Sequence, residues 1–339
     1  MNNLSLAIIG FGNSARAFTK ILMSKEHEIR QLFDYNIQIN SIATATRGNV
    51  YCKEGINPLD LLNNNEYFNH KDYTAMSVLE LIDIAQYDVL IELTPLNIET
   101  GQPAIEYIKR ALKRGKSVIT ANKGPLANAH NELKSLAISN SASFLYETTV
   151  MDGAPIFNLI EDTLPFCEIL GFEGILNTTT NFILDKMEHG MSYDSALELG
   201  RSQGFVEADP QNDLAGKDAA AKTAVLANVL MNASIKPNQV DYEGIMGITS
   251  DDILSAASAN KRYKLVCKAT KEEEIKTSVK LQLLDLSHPL ANINGTSSAL
   301  NIHTDLMGII TIIENNPSIE QTGYGIFSDL IKLLKKGTK

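Results

Sequence analysis

The chain has little cysteine. Cys52, Cys167 and Cys267 are its three cysteines, far apart and in unrelated contexts. That excludes a disulfide scaffold and points to reduced thiols in a cytoplasmic protein. No Cys-x-x-Cys or Cys/His spacing occurs, so nothing suggests zinc. Positive charge is also short: Lys+Arg number 30 against 40 Asp+Glu, a formal net charge of −10. That balance argues against nucleic acid as the main partner. The one basic cluster, Lys109, Arg110, Lys113, Arg114 and Lys116, lies on and just after an amphipathic helix pattern and reads as its solvated side. No apolar run is long enough to span a bilayer, so no membrane role is expected. The opening residues, Met1 to Leu6, lack the basic region and apolar stretch of a signal peptide, so a cytoplasmic location is expected. Internal repeats and low-complexity segments are missing too. At 339 residues, 44% hydrophobic and 21% charged, the chain is long enough for two domains and a sizeable core.

The pattern changes along the chain. Leu4 to Ile9 is a short apolar run closed by Gly10-Phe11-Gly12-Asn13-Ser14-Ala15 and followed by helical spacing. It predicts a strand, a tight turn and a helix. Further strands are predicted at Ile37 to Ala43, at Asp88 to Leu93 before Thr94-Pro95, at Lys116 to Thr120 before Ala121-Asn122-Lys123-Gly124, and at Ser143 to Glu147. Between them, Ala104 to Leu112 and Leu126 to Ser139 have helical periodicity, the first stopped by Gly115. Alternating strands and helices predict an α/β fold with a parallel, doubly wound sheet whose ligands bind at the carboxyl ends of strands. After about residue 150 the order becomes less regular. Helices are predicted near Pro155–Thr163, Phe182–Glu188, Tyr193–Arg201 and Lys217–Met231, with strands at Ile169–Leu176 and Lys276–Leu284. The last helical pattern, Gly325 to Leu334, could return to the first domain.

Gly10-x-Gly12-x-x-Ala15 fits the dinucleotide-binding fingerprint, with alanine in its third place. The first glycine permits the tight turn, and the second lets backbone approach a pyrophosphate at the helix N-terminus. Gly10, Gly12, Asn13, Ser14 and Ala15 are therefore cofactor-binding candidates. An acid at the end of the second strand would hold the ribose of NAD. Ala43-Thr44-Ala45-Thr46 has none, and Arg47 follows, where it could pair with a 2′-phosphate. NADP is the expected cofactor, with NAD as the alternative; Arg47 as a plain loop residue is the competing view.

Gly204-Phe205-Val206-Glu207-Ala208-Asp209-Pro210, followed by Asp213, Gly216, Asp218 and Lys222, gathers acids and a lysine around a turn and a helix start. The helix is otherwise alanine and aliphatic, so its charges must pair with each other or with a ligand if buried. Asp218 and Lys222 are four apart and share a helix face. Alone, they read as an ordinary ion pair, and Glu207, Asp209 and Asp213 as a solvated acidic loop. His189 and His288 read as structural.

Taken together these motifs resemble the homoserine dehydrogenase family, and the resemblance runs in order along almost the whole chain. It rests on Gly10–Ala15, Glu92-Leu93-Thr94-Pro95, Thr120 to Ala127, Tyr146 to Val150, Gly174 to Asn177, Thr179-Thr180-Asn181, the Glu207–Lys222 stretch and His288 to Ala291. It implies a Rossmann-type domain over 1–140, rejoined by a C-terminal helix at about 320–339. An α+β catalytic and dimerisation domain would span 141–319. It also implies reversible hydride transfer between L-aspartate 4-semialdehyde and L-homoserine, in threonine and methionine biosynthesis. Lys123 and Lys222 become catalytic candidates with Asp218, Lys123 also lying beside the cofactor with Thr94 and Pro95. Glu207, Asp213 and Thr179 become substrate contacts. A monovalent cation such as sodium is implied at Glu147, Val150, Asp152 and Ala154, and a homodimer is expected.

The chain departs from the family pattern in places. Met151-Asp152 replaces two glycines, Thr178 stands where a glycine is usual, and Phe205 stands where tyrosine is common. Asn315-Asn316-Pro317 alters the approach to Gly323-Tyr324-Gly325. No kinase or regulatory domain is expected. A relative acting on another small amino-acid aldehyde or ketone, or a non-catalytic nucleotide sensor, are the competing functions.

Overall fold

A computed structural model describes residues 2–206 and 209–337. Cα proximity divides the chain into two compact units, Met1–Pro155 with Ser318–Lys339, and Ile156–Pro317.

The first unit follows the alternation in its sequence. Its strands are β1 (Asn2–Ile9), β2 (Tyr35–Ala43), β3 (Asn49–Tyr51), β4 (Tyr73–Thr74), β5 (Val89–Glu92), β6 (Ser117–Thr120) and β7 (Phe144–Leu145). Its helices are α1 (Asn13–Ser24), α2 (Glu26–Phe33), α3 (Pro58–Asn63), α4 (Val78–Ile84), α5 (Ala104–Lys113) and α6 (Lys123–Ser139). The seven-stranded sheet has the order β4-β3-β2-β1-β5-β6-β7. β1 pairs in parallel with β2 on one side and β5 on the other, and β6 and β7 continue in parallel. The chain thus leaves β1 in two directions, and the crevice at the carboxyl ends of β1 and β5 is the topological switch point. β3 and β4 depart from the expected parallel winding. Gly48, at φ +88°, sits in a turn that sends β3 back antiparallel to β2.

Leu6, Ile8, Phe18, Ile39, Ile42, Ile91 and Ile119 fill the core with Ile326, Leu330 and Leu334 of the final helix, Ile319–Gly337. Burying each such side chain contributes about 1.5–3 kcal/mol. The unit runs past the expected division at 140/141 for two reasons. β7 pairs with β6, and the segment after β7 bonds to the final helix, with the Glu147 amide donating to Asp329 Oδ2 at 2.9 Å.

In the second unit come α7 (Phe157–Thr163), β8 (Ile169–Ile175), α8 (Thr178–Glu188), α9 (Tyr193–Ser202), α10 (Gln211–Leu214), α11 (Lys217–Leu230), β9 (Asp241–Tyr242) and α12 (Ser250–Ser258). Then follow β10 (Lys261–Lys271), β11 (Ile275–Asp285), β12 (Ser298–Thr304) and β13 (Ile309–Glu314). The final helix, in the first unit, is α13. The sheet order is β13-β12-β8-β10-β11-β9, antiparallel except where β9 meets β11. Ala219, Ala220, Ala221 and Ala224 of α11 are buried, and Cys267 Sγ of β10 lies 3.8 Å from the Ala219 carbonyl oxygen. No helix of the described residues is long and apolar enough to cross a membrane.

Candidate active site

At the switch point, Gly10 has φ +89°, and a Cβ there would lie 2.3 Å from the Leu93 carbonyl oxygen. Only glycine lets the end of β1 pass so close to the end of β5. Gly12 is different. Its φ is −86°, and a Cβ there would have no protein atom within 4 Å. It caps α1 with no side-chain hydrogen bond to the first turn, and that turn holds no acid. The start of α1 thus has no side-chain cap and open space beside Gly12, the features a phosphate site at a helix N-terminus needs. Asn13 is exposed, Ser14 half-buried, and Ala15 packs in the core.

No carboxylate follows β2. Asp34, at φ 56°, caps α2 at the opposite end of that strand. Thr44 Oγ1 accepts from the Arg47 amide at 3.0 Å, and Arg47 Nη2 donates to the Phe11 carbonyl at 2.5 Å. The guanidinium is thereby held against the glycine turn. Arg16 is occupied with structure: it donates to the carbonyls of Leu62 and Asn64, both at 2.7 Å. These features fit a nicotinamide dinucleotide, with Gly10–Ala15 and Arg47 available to hold it.

The ends of β5 and β6 are joined by Glu92, the first residue of the Glu92-Leu93-Thr94-Pro95 motif and not among the expected site residues. Glu92 is fully buried. Its Oε1 accepts from the Thr94 amide at 2.8 Å and from the Thr94 hydroxyl, and its Oε2 accepts from Thr120 Oγ1 at 2.7 Å. Burial pushes the Glu92 carboxyl up, and the bonds from Thr94, Thr120 and Asn122 oppose it. Asn122 caps α6 by accepting from the Gly124 amide at 3.1 Å, and Lys123, half-buried, is the first residue of that helix. Pro95 is exposed beyond Thr94. The sequence signal for Glu92 was a lone acid closing an apolar strand.

The cation candidates lie in one turn after β7. Glu147, Val150 and Ala154 are buried. Asp152 takes φ 34°, so the backbone bend that glycine would serve is kept by an aspartate, a residue that tolerates it. Its Oδ1 accepts from Thr322 Oγ1 at 2.7 Å. Among the described residues no cluster of three or more His, Cys, Asp or Glu could hold a metal, so a cation here would depend on backbone carbonyl oxygens.

Just before this turn, Tyr146 OH lies 3.1 Å from His130 Nε2. His130 is 3% exposed, and burial lowers its pKa from 6.5 to about 4. The folded value lies below the unfolded one, so the unfolded chain protonates first as pH falls. Stability from this group is complete above about pH 6.5, falls between there and about pH 4, and is level below. The loss should total about 3 kcal/mol. Urea melts across that range should show His130→Gln with a flatter acid limb than the wild type; identical limbs would contradict the assignment.

In the second unit, the acid-rich stretch and the Asn177–Thr180 turn converge. Asn177 Nδ2 donates to Asp213 Oδ1 at 2.7 Å and to Asp218 Oδ2 at 3.1 Å, so one amide bridges two carboxylates. Thr179 Oγ1 donates to Asp213 Oδ2 at 2.9 Å. Lys222 Nζ donates to the Leu176 carbonyl at 2.5 Å and lies 3.8 Å from Asp218 Oδ2, both side chains being 14% exposed. Burial, then the Asp218 charge, pushes the Asp213 carboxyl up, while Asn177, Thr179 and Lys222 pull it down. Asn177 also caps α8, its Oδ1 accepting from the Thr180 amide at 2.9 Å. Asp213, Asp218, Lys222 and Thr179 are thus brought together, and Asn177 joins them. Glu207 lies outside the described residues. Phe205 packs edge-on against Phe182 with ring centroids 4.6 Å apart.

A pyrophosphate-ready glycine turn in one unit and a lysine–carboxylate cluster in the other suit a dehydrogenase, and comparison with known proteins gives the family. The homoserine dehydrogenase family model matches residues 155–331, and the model for the homoserine dehydrogenase NAD-binding domain matches residues 10–147. The NAD(+)-dependent homoserine dehydrogenase of Pseudomonas canavaninivorans is 32% identical over 346 residues, covering 100% of this chain and 98% of that protein. The homoserine dehydrogenase of Sulfurisphaera tokodaii is 34% identical, covering 98% and 99%. The solved homoserine dehydrogenase of S. aureus is 29% identical with a TM-score of 0.80, covering 100% of this chain and 78% of that one. The chain belongs to the homoserine dehydrogenase family and is a nicotinamide-dependent oxidoreductase.

Proposed function

We propose that the protein interconverts L-aspartate 4-semialdehyde and L-homoserine, with NADP(H) as its preferred cofactor, on the branch leading to threonine and methionine. The observation that carries the chemistry is the Lys222 ammonium, held by the Leu176 carbonyl and Asp218. The cofactor, when bound, supplies or accepts the hydride. As the aldehyde is reduced, negative charge grows on its oxygen. Lys222 stabilises that charge and delivers the proton, and Asp218 orients the ammonium. Asp213 and Thr179 bind the substrate, and Glu207 takes its amino group. Lys123 serves the cofactor side together with Thr94 and Pro95. Glu147, Val150, Asp152 and Ala154 offer hard oxygens, chiefly carbonyls, to a monovalent cation such as sodium.

Arg47 carries the cofactor preference. With no acid after β2, a ribose 2′-OH finds no carboxylate, while a 2′-phosphate finds a guanidinium anchored at the glycine turn. Arg47→Ala should raise KM for NADPH about tenfold or more and leave KM for NADH nearly unchanged. The likeness to an NAD(+)-dependent relative makes the opposite result informative: a wild type favouring NADH would overturn the NADP assignment and keep the reaction.

A homodimer completes the proposal. β13 is an edge strand with Ile309 63% and Ile313 51% exposed. A long apolar edge invites pairing with a second copy. Light scattering should give about twice the 37.2 kDa chain mass, and the double variant Ile309→Lys, Ile313→Lys should be monomeric. A monomeric wild type would reject this assembly.

A further inference from the structure

We propose that Glu92 is a positioning residue that makes the turns after β5 and β6 move as one body, and so sets Lys123 relative to the nicotinamide end of the cofactor. The inference rests on the reading of the first unit as the cofactor's domain and adds a role to it.

The geometry is a closed ring. Glu92 Oε1 accepts from the Thr94 amide at 2.8 Å. The Thr94 carbonyl accepts from Asn122 Nδ2 at 3.3 Å, the Asn122 amide donates to Thr120 Oγ1 at 3.0 Å, and Thr120 Oγ1 donates to Glu92 Oε2 at 2.7 Å. Four residues from two strand ends are thus linked without interruption, and Glu92 and Thr120 are both fully buried. The bonds have a direction. Both backbone amides must donate, so Glu92 Oε1 and Thr120 Oγ1 must accept, and the remaining Thr120 proton goes to Glu92 Oε2. Only a carboxylate accepts at every position assigned to it, which explains an acid in an otherwise apolar strand. Asn122 then carries the arrangement into α6, because its Oδ1 caps the helix at Gly124 next to Lys123. A backbone approach adds to this register: a Cβ on Gly124 would lie 2.7 Å from the Asn97 carbonyl oxygen. The β5 turn and the start of α6 therefore hold each other at two places.

Breaking the ring should misplace Lys123 without emptying the glycine turn, because no residue of Gly10–Ala15 takes part in the ring's hydrogen bonds. The first test is Thr120→Val in the full chain. It keeps shape but leaves Glu92 Oε2 and the Asn122 amide without their partner. The second is Glu92→Gln, which reverses one bond and leaves the Thr120 hydroxyl proton with no acceptor. Each should lower kcat roughly tenfold to hundredfold, since a shifted Lys123 no longer orients the nicotinamide end for hydride transfer, and small misplacements of reacting atoms cost on that order. NADPH affinity, read by fluorescence, should change only about threefold or less, because the adenosine and pyrophosphate contacts lie elsewhere. The double variant should be no slower than the worse single one, because both break the same ring. Hydrogen exchange on the cofactor-free protein gives a readout independent of turnover: amides at 93–94 and 121–124 should be exposed together in either variant. Independent exchange of the two turns, a double variant slowed by the product of the single effects, or a lower Tm with kcat unchanged would each overturn the proposal. A wild type that binds no nicotinamide dinucleotide would instead reject the reading of the domain, and exchange coupling would still decide whether the ring joins the turns.

Discussion

Lys222→Ala should cut kcat about a thousandfold while leaving fold and cofactor affinity close to wild type. The magnitude combines loss of a proton donor with loss of a positive charge facing a developing oxyanion, each worth about a hundredfold or more. The fold should survive because α11 packs through Ala219, Ala220, Ala221 and Ala224, not through Lys222. What changes is local. The Leu176 carbonyl loses its donor, and Asp218 and Asp213 face one another across Asn177 without the Lys222 charge. Since the Lys222 charge lowers the Asp213 pKa, its removal should push that carboxyl further up. The variant's residual activity should therefore fall off at a higher pH than the wild type's acid limb. Lys222→Arg keeps the charge but replaces a compact ammonium with a planar fork, and should restore only a small part of the rate. Steady-state kinetics with separate cofactor titration checks both; a Lys222→Ala enzyme within tenfold of wild type would remove Lys222 from the chemistry.

The second large effect separates two glycines that the fingerprint treats alike. Gly12→Val should abolish measurable cofactor binding, a loss of at least about a hundredfold, with Tm unchanged. Its φ suits any residue, and a Cβ there meets no protein atom, so the new side chain occupies only the space reserved for phosphate. Gly10→Ala should do the reverse and attack the fold. Its φ of +89° and the Leu93 carbonyl oxygen 2.3 Å from the new Cβ combine backbone strain with a clash that neither strand can relieve freely. A destabilisation of about 2–4 kcal/mol is expected. Thermal melts and cofactor titrations of the two variants, side by side, check the contrast. If Gly12→Val bound NADPH normally, the dinucleotide would not lie on this turn.

The first sheet was largely legible because each parallel strand is a short apolar run closed by a turn residue: Gly10 after β1, Thr94-Pro95 after β5, Asn122 after β6. β3 and β4 were not, since they are two or three residues long and antiparallel to their neighbours, β3 after a reversal at Gly48. β8 and β11 stood out in the second unit, whereas β10 is hidden by its charged residues, Lys264 among them. That lysine is fully buried, donating to Asn181 Oδ1 at 3.1 Å and the Ile293 carbonyl at 2.7 Å, and burial lowers its pKa to about 8. A rule that places lysine in solvent fails wherever the fold supplies such acceptors. The site divides in the same way. Asp218 and Lys222 are near in sequence, so their pairing could be read from helix spacing. Asn177 meets its carboxylates 36 and 41 residues away, and Glu92 meets Thr120 across 28. Those contacts exist only once the strands are in register. Asp152 illustrates a departure the fold accommodates: its φ is positive, and Thr322 donates to its carboxylate.

The most direct measurement is oxidation of NADPH by the purified wild-type protein with L-aspartate 4-semialdehyde, with the amino-acid product identified. Homoserine should form in one-to-one yield with NADPH consumed, with little turnover from Lys222→Ala at saturating cofactor. Cofactor binding without homoserine formation would contradict the proposed reaction, and would leave the lysine–carboxylate cluster of the second unit to serve a different substrate.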